Sequence, residues 1–534
     1  MTDTERDRPA TAPTSTGKAD ASLHGTRGSG VVGRSGPGFG RALSWSYVLT
    51  SGRTLMTLVV SLVLARLLGP EAFGTLAMAT VFVLFVDMFV RQGLVAAIVQ
   101  RPNLTRDHLD TAFWMTVAAT VVLVPVAIGA SGWWARVNRL PELRDIIISL
   151  TALIPLRGLG VVQEALVRRQ MDFRILAVRT NAAVLVGGVS GIAAAFLGAG
   201  IWALVIQQLS MATIELALIW KLTTWRPGWS FRRSCVPELL SFSSRSALAS
   251  LGSFVNLRSD ALLIGLFFGP VVVGLYRMAV RFIDLSLDLA AGALQSVFLP
   301  ELARYAEDRD AFIERTIEVV HIGSLLAVPI LGSLAAASDP LMALVGEEWL
   351  PAADALKVLC LLAAVQAISM FLGPILQAAG RPGVLAWLTW VSAGLSAATF
   401  VGAGLFLVGA AEAMQVVWIA IIRTAVFFPT LFVIVFPVLR YSLGLRGSRI
   451  LGAIWPSSLA ALCGFGVVQG FQHVSGDRWL EPPLLGIALA GGISLLCAIG
   501  TLLLLDPVAR ALPSRLAVLK SSVRSKRGTV ARDN

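Results

Sequence analysis

Long apolar runs separated by short polar loops dominate the pattern of this chain. The runs are rich in Leu, Val, Ile and Ala and are about 20 residues long, the length of a helix that crosses a bilayer. They lack the strict alternation of membrane β-barrel strands. The pattern predicts an all-α integral membrane protein with about fourteen transmembrane helices, at residues 45–66, 74–98, 111–131, 145–166, 175–198, 200–220, 238–268, 272–299, 314–337, 353–379, 383–407, 412–438, 450–470 and 483–505.

Composition supports this fold class. Of the 534 residues, 56% are hydrophobic and only 14% are charged, whereas charged residues make up about 25% of a typical soluble protein. A soluble protein of this length would divide into several domains, each with a charged exterior. This composition cannot supply those exteriors, so a polytopic membrane protein is the remaining interpretation.

The two ends of the chain are polar. Residues 1–44 are rich in Gly, Ser, Thr, Pro and charge and are predicted to be a disordered tail. Residues 506–534 form a basic tail, which we expect to meet anionic lipids rather than nucleic acid. Fifteen Lys and Arg residues lie in loops on the side of the N-terminus, against four on the other side, Arg136, Arg139, Arg144 and Arg478. The positive-inside rule therefore predicts that both tails are cytoplasmic.

An internal repeat occurs at an offset of 200 residues. Segments 62–82 and 262–282 share a Gly-Pro pair followed by Gly four positions after the Pro, at Gly69–Pro70 and Gly269–Pro270. We expect a tight turn in which Pro ends one helix and Gly supplies the freedom to start the next. The repeat is parallel and predicts two pseudo-symmetric six-helix lobes, 45–222 and 223–440, with helices 13 and 14 at 441–505 as an extra pair. Such lobes are typical of alternating-access transporters, although shared ancestry without transport is an alternative.

The predicted eighth helix carries a polar stripe. At 100° per residue, its members lie on one face from nearly end to end; they are Arg277, Arg281, Asp284, Asp288 and Gln295. Hydrocarbon does not accept such a face, so it must meet protein or a water-filled cavity.

The predicted seventh helix adds Arg245, Arg258 and Asp260. Asp260 lies level with Arg277 and Arg281, and Arg258 lies level with Arg281 and Asp284. Opposite charges at one depth are expected to pair. Two interpretations stay open, a structural ion-pair network and a solvated cavity wall that binds charge.

Two arginines of the first lobe extend the second interpretation. Arg53 and Arg91 lie at similar depth, and Asp87 precedes Arg91 by four residues, the spacing of an ordinary helical salt bridge. The candidate phosphate-binding set is Arg53, Arg91, Arg245, Arg258, Arg277 and Arg281, because the guanidinium fork binds phosphate through two donors. Arg157, Arg179 and Arg423 are expected to extend to the interface instead.

Acidic residues inside the predicted spans are candidates for ion coupling or for pairing. They are Asp260, Asp284, Asp288 and Glu318, with His321 one turn from Glu318; Glu164 and Glu215 are further candidates. The sequence contains no P-loop motif, no HExxH and no Cys/His cluster. We therefore expect neither a metal nor a cofactor, and a transporter rather than an enzyme.

Three segments of the first half carry a family resemblance. They are Ala65–Gly74, which reads ARLLGPEAFG, Gly93–Arg101, and Asp107–Trp114. In the second half, Asp260, Gly265, Gly269, Pro270, Gly274, Tyr276, Ala279 and Arg281 match a second run, followed by Pro300 and Arg304. Over residues 45–440 the chain resembles bacterial polysaccharide exporters of the multidrug/oligosaccharidyl-lipid/polysaccharide superfamily, of the colanic-acid and teichuronic-acid type.

This resemblance implies a function. Such a protein moves a glycan linked to undecaprenyl pyrophosphate from the inner to the outer leaflet of the bacterial cell membrane, driven by an ion gradient or by the membrane potential. Other membrane proteins of polysaccharide assembly are implied as partners. Two alternatives remain, a drug/cation antiporter of the same superfamily and a flippase for the peptidoglycan precursor.

Overall fold

The computed structural model describes residues 39–101, 103–303, 305, 308–407, 409–475 and 482–510. Within these ranges some side chains lie outside the description, those of residues 39–51, 92–93, 240–250, 253, 289–301, 303, 365–370 and 475. The predictions for Arg245 and Gln295 therefore fall outside the described residues. Most of the predicted tails falls outside as well. Residues from Ser46 onward form one compact unit; residues 1–45 form another, of which only the first turns of a helix are described.

The described part of the chain is α-helical. Its helices are α1 (Phe39–Gln100), α2 (Arg106–Val137), α3 (Leu143–Leu150), α4 (Leu153–Gly158), α5 (Val161–Arg169), α6 (Phe173–Phe196), α7 (Trp202–Leu222), α8 (Cys235–Phe268), α9 (Pro270–Ala303), α10 (Arg309–Ala336), α11 (Ser338–Val345), α12 (Pro351–Ala378), α13 (Pro382–Leu407), α14 (Glu412–Thr430), α15 (Phe436–Leu443), α16 (Gly447–Ser475) and α17 (Pro483–Leu505). A 3₁₀ turn, Glu347–Trp349, precedes α12, and a π-helical segment, Leu431–Val435, joins α14 to α15.

Each of the fourteen predicted spans coincides with helical structure to within a few residues at its ends. Nine described helices are long and apolar enough to cross a membrane, or ten if a bent pair counts as one span. The helices α8, α9 and α12 are not among them. The all-α membrane fold is therefore confirmed, and the number fourteen stays a prediction.

The fourth predicted span is not one continuous helix. It is divided into α3, α4 and α5, and its two parts, Leu143–Gly158 and Val161–Arg169, meet at a bend of 43°. Pro155 lacks the N–H that would continue the helical ladder, and Gly158 and Gly160 weaken the helix just before the bend. The two parts together are long and apolar enough for one span, so the span stays a prediction. The bend itself was not predicted, because the apolar run continues through it.

The repeat is visible in the geometry of its two turns. Gly69 breaks α1 at φ 71° and ψ 176°, and Gly269 separates α8 from α9 at φ 85° and ψ −176°. A Cβ on Gly74 would lie 1.7 Å from the Pro270 carbonyl oxygen, and one on Gly274 would lie 2.0 Å from the Pro70 carbonyl oxygen. We call these four residues the Gly-Pro contact. Its two halves are reciprocal, as a two-fold relation between the lobes requires.

The last two long helices lie against the second lobe. Helix α16 packs on α10, and α17 packs on α16, α10 and α11. The His321 Nε2 atom on α10 lies 2.6 Å from the Asp506 carboxylate at the end of α17. The polar contact anchors this apolar pair to the lobe that carries the polar stripe.

Candidate functional site

A cavity of about 720 Å³ lies inside the second lobe, between α8, α9, α12, α13 and α14. Much of its wall is apolar and comes from leucines of α12 and α13 and from Phe427. Its charged members are Arg258, Asp260, Arg277, Asp284, Asp288 and Arg423. A volume of this size is within the range of sites that hold small ligands.

The predicted stripe of α9 supplies half of these charges. Arg277, Asp284 and Asp288 line the cavity, and Arg281 is not among its lining residues. The Arg281 side chain is partly buried, and the structure shows no ion pair for it within the described residues. The angle per residue thus predicted correctly which residues share one face of α9. It could not predict the direction of the long Arg281 side chain, which depends on the neighbouring helices.

One ion pair forms among the charges of the cavity. A guanidinium nitrogen of Arg277 lies 3.1 Å from the Asp260 carboxylate, whose side chain is 7% exposed. The alternative pairs expected from matched depth, Asp260 with Arg281 and Arg258 with Asp284, are not formed in the part of the chain that the structure describes. Arg277 forms this pair because it lies about as far after the Gly269–Pro270 turn as Asp260 lies before it, whereas Arg281 lies four residues farther from the turn. Arg258, Asp284 and Asp288 thus line the cavity without a described ion pair.

Arg423 of α14 is a charged member that sequence reasoning placed wrongly. Instead of extending to the interface, it donates a hydrogen bond to the Tyr276 hydroxyl. Its guanidinium carbon lies 5.4 Å from the ring centre of Phe400 and 5.9 Å from that of Tyr276. The sequence does show a tyrosine, Tyr276, one position before the polar stripe. It does not show that α14 packs beside α9, which is what brings Arg423 to this tyrosine.

Hydroxyl groups stand beside the leucines in the wall contributed by α13. Thr389, Ser392, Ser396 and Thr399 recur at intervals of three or four residues, so they share one helical face, and all four line the cavity. The Ser396 Oγ atom is buried and has no hydrogen-bond partner among the described residues. Charges on α8 and α9 therefore share one cavity with hydroxyl groups on α13.

The first lobe uses its charges differently. Arg91 pairs with Asp87 at 3.2 Å, and Arg157 lies 4.0 Å from the same carboxylate. Arg179 lies 3.5 Å from Glu164 and 3.9 Å from Glu215. Arg157 and Arg179 thus belong to an internal ion-pair network, and the expectation that they extend to the interface was wrong.

Arg53 and Arg91 do not line the cavity of the second lobe. Arg53 is exposed on α1, and Arg91 borders a small cleft with Arg157 and Glu164. The structure therefore does not bring these two residues together with the arginines that line this cavity, and the expected cationic cavity shared by both lobes stays a prediction. The helical salt bridge between Asp87 and Arg91, named as the simpler explanation, is present.

The remaining acidic candidate lies near the beginning of α10. The Glu318 carboxylate lies 2.6 Å from Arg315. His321 faces Asp506. Among the residues that the structure describes there is also no group of three His, Cys, Asp or Glu side chains placed to hold a metal ion.

Comparisons with known proteins identify the family of this chain. A family model described as polysaccharide biosynthesis protein matches residues 63–354. A succinoglycan biosynthesis transport protein of Rhizobium meliloti is 26% identical over 354 residues, 66% of this chain and 72% of that protein. A teichuronic acid biosynthesis protein of Bacillus subtilis is 24% identical and covers 84% of this chain and 92% of its own length.

Solved structures show the same fold. A lipid II flippase in an inward closed conformation superimposes with a TM-score of 0.68 at 12% identity, over 89% of this chain and 100% of its own. An inward-facing multidrug resistance transporter of the superfamily named above gives a TM-score of 0.54 at 15% identity, over 78% of this chain and 96% of its own. At such identities the similarity concerns the fold.

Proposed function

Because the chain belongs to the polysaccharide biosynthesis protein family, we propose that it is a flippase for a lipid-linked glycan. It is a multi-pass membrane transporter of polysaccharide biosynthesis, and its substrate is an oligosaccharide or polysaccharide precursor on a lipid pyrophosphate. It carries this precursor from the inner to the outer leaflet of a bacterial cell membrane by alternating access, with both termini in the cytoplasm. The lobes 45–222 and 223–440 are its moving parts.

The observation that carries this proposal is the charged cavity of the second lobe. Six charged residues line it and a single ion pair is formed among them. A structural network would pair its charges, because an unpaired charge in a membrane interior is costly. Charged side chains without an ion-pair partner are expected in a cavity that water and a polar substrate enter.

The internal repeat supports this assignment, because the corresponding positions of the first lobe lack these charges. Arg258, Asp260, Arg277, Asp284 and Asp288 correspond at the 200-residue offset to apolar residues of the first lobe, which are Leu58, Val60, Ala77, Leu84 and Met88. The first lobe makes the same turn and the same helix pair with these apolar side chains. Apart from the Arg277–Asp260 pair, which joins α8 to α9, we therefore assign these charges to what the cavity binds.

A drug/cation antiporter is the less favoured function. A site for organic cations would be dominated by acidic and aromatic side chains, whereas in this cavity three arginines stand beside three aspartates. A lipid-linked diphosphate fits these arginines better, because one guanidinium group can donate two parallel hydrogen bonds to the oxygens of a phosphate. A peptidoglycan-precursor flippase would share such a cavity, so the accumulated lipid must be identified directly.

Deletion of the gene tests this proposal. We expect a lipid-linked sugar to accumulate in the inner leaflet and the surface glycan to be lost, and expression of the wild-type chain should restore both. Lipid extraction followed by mass spectrometry identifies the sugar. A deletion strain with unchanged surface glycan and no accumulated lipid-linked sugar would overturn the proposed function.

A further inference from the structure

We infer that the cavity of the second lobe binds its substrate in one orientation. Phosphate binds at the end formed by Arg423 and Tyr276, and sugar hydroxyl groups bind at the end formed by Asp284 and Asp288. This inference rests on the proposed function and adds the anion-binding residue Arg423.

Arg423 has unused hydrogen-bonding capacity. A guanidinium carries five N–H donors, and the described acceptor here is the Tyr276 hydroxyl. Its guanidinium carbon lies 5.4 Å from the ring centre of Phe400 and 5.9 Å from that of Tyr276, and the aromatic rings accept no conventional hydrogen bond from the remaining donors. No carboxylate among the described residues forms an ion pair with it, although it lines the cavity. A partly buried arginine without an ion-pair partner can bind an anionic group of the ligand.

The neighbouring arginine cannot fill the same role. Arg277, the residue after Tyr276, is already paired with Asp260 at 3.1 Å. Its charge is largely compensated within the protein, and the donors of Arg423 remain for a ligand. Phosphate suits them because its oxygens accept two parallel hydrogen bonds from the guanidinium fork.

The far end of the cavity carries two carboxylates besides Arg258 of α8, which lies level with Asp284. Asp284 and Asp288 lie one turn apart, exposed to the cavity and without a described cation partner. Carboxylates that lack a cation accept hydrogen bonds from neutral donors, and sugars are rich in such donors. The two ends therefore prefer different parts of a phosphate-linked sugar.

The hydroxyl groups of α13 lie along the cavity in the same direction as the charged residues of α9. Tyr276 and Phe400 contact each other edge to face at 6.1 Å, which fixes the two helices relative to one another. Asp288 lies twelve residues beyond Tyr276, about 18 Å along α9, and Thr389 lies eleven residues before Phe400, about 16 Å along α13. The buried and unpartnered Ser396 hydroxyl lies between these ends. Hydroxyl groups thus line the path from the phosphate end to the carboxylate end.

Binding to the purified full-length chain tests the phosphate end. The probes are inorganic pyrophosphate and farnesyl pyrophosphate, and the readout is the shift in thermal unfolding temperature as a function of probe concentration. Arg423→Gln should weaken the affinity for both probes by about tenfold or more, because it removes a charged hydrogen bond. Arg423→Lys should recover part of the affinity, since it keeps the charge without the fork. Arg446→Gln, at an exposed loop residue, is the matched control.

The carboxylate end is tested by export. The double substitution Asp284→Asn with Asp288→Asn should retain the affinity for pyrophosphate and lose restoration of the surface glycan in the deletion strain. Unchanged pyrophosphate affinity in folded Arg423→Gln and Arg423→Lys would overturn the inference. The inference would also be overturned if Arg423→Gln weakened the binding of phosphatidylglycerol in nanodiscs and left the binding of both pyrophosphates unchanged. The ligand would then be a bulk lipid headgroup.

These outcomes are separate from failure of the proposed function. If the deletion strain accumulates a lipid-linked sugar and Arg423→Gln restores export fully, the function stands and the inference about Arg423 is wrong. If the deletion changes neither lipid-linked sugar nor surface glycan, the function itself fails.

Discussion

Arg277 and Asp260 hold α9 against α8 through the buried ion pair of the cavity. Replacement of Arg277 by Ala leaves the Asp260 carboxylate, 7% exposed, without its cation. Removing one partner of a buried pair typically costs about 3–5 kcal/mol. We therefore expect Arg277→Ala to lower the amount of folded protein recovered by size-exclusion chromatography and to lower its unfolding temperature.

Arg281 supplies the matched comparison for that experiment. It lies one turn further along α9 and has no described ion pair, so Arg281→Ala should leave the folded yield close to that of the wild type. The charge-swapped pair Asp260→Arg with Arg277→Asp should recover part of the yield. Equal loss of folded protein in Arg277→Ala and Arg281→Ala would contradict the assignment of the pair.

Individual residues also show where sequence reasoning succeeds and where it stops. The period of the helix placed Arg277, Asp284 and Asp288 on one face, because that depends only on the angle per residue. The partner of Arg423 could not be derived, because depth along a helix says nothing about which helix lies beside it. Asp260 had two candidates at one depth, and the choice of Arg277 depends on packing between α8 and α9.

At the scale of elements, the Gly-Pro contact brings the two lobes together. A methyl group on Gly74 would lie 1.7 Å from the Pro270 carbonyl oxygen, and one on Gly274 would lie 2.0 Å from that of Pro70. Both neighbours are backbone atoms, which cannot rotate away. Gly74→Ala and Gly274→Ala should each lower the unfolding temperature, by the equivalent of about 1–3 kcal/mol or more for overpacking.

A glycine with open space around it is the control for these two variants. Gly129 in α2 has nothing within 4 Å of the position of its Cβ. Gly129→Ala should leave the unfolding temperature unchanged or raise it, because Ala favours a helix over Gly. A Gly74→Ala protein as stable as Gly129→Ala would show that the contact between Pro270 and Gly74 is absent.

Elements with strong local signals were predictable from the sequence. The two Gly-Pro turns were placed correctly along the chain, but the roles within them were assigned wrongly. Gly69 and Gly269, at φ angles of 71° and 85°, end the first helix of each pair, and Pro270 is the first residue of α9. The bend between α4 and α5 was missed because a continuous apolar run hides it. The π-helical segment Leu431–Val435, next to Pro429 and Pro437, was missed for the same reason.

At the scale of the whole molecule, the lobes touch at the end where the Gly-Pro contact lies. The Trp349 side chain is 1% exposed and donates a hydrogen bond of 3.1 Å to the Ala65 carbonyl. Arg66 donates to the Leu344 carbonyl at 3.3 Å. These contacts join α1 to the segment between α10 and α12, so this end of the molecule is closed. Alternating access requires them to break when the protein opens on this side.

The side of the membrane on which this closed end lies follows from the charge of the loops. The excess of Lys and Arg in the loops at the other end predicts that the closed end faces outward and that both termini are cytoplasmic. Two exposed positions on opposite sides test this orientation, Glu412 at the start of α14 and Arg446 between α15 and α16. After replacement of the four native cysteines, each position receives a single Cys as Glu412→Cys or Arg446→Cys.

In intact cells, a membrane-impermeant maleimide should label Glu412→Cys and should label Arg446→Cys only after the membrane is permeabilised. The two positions are separated by α14, the π-helical segment and α15, which form a continuous apolar stretch, Glu412–Leu443, long enough to span the bilayer. The result for one position therefore determines the expected result for the other. Labelling of Arg446→Cys from outside, with Glu412→Cys protected, would reverse the orientation and place the closed end at the cytoplasmic face.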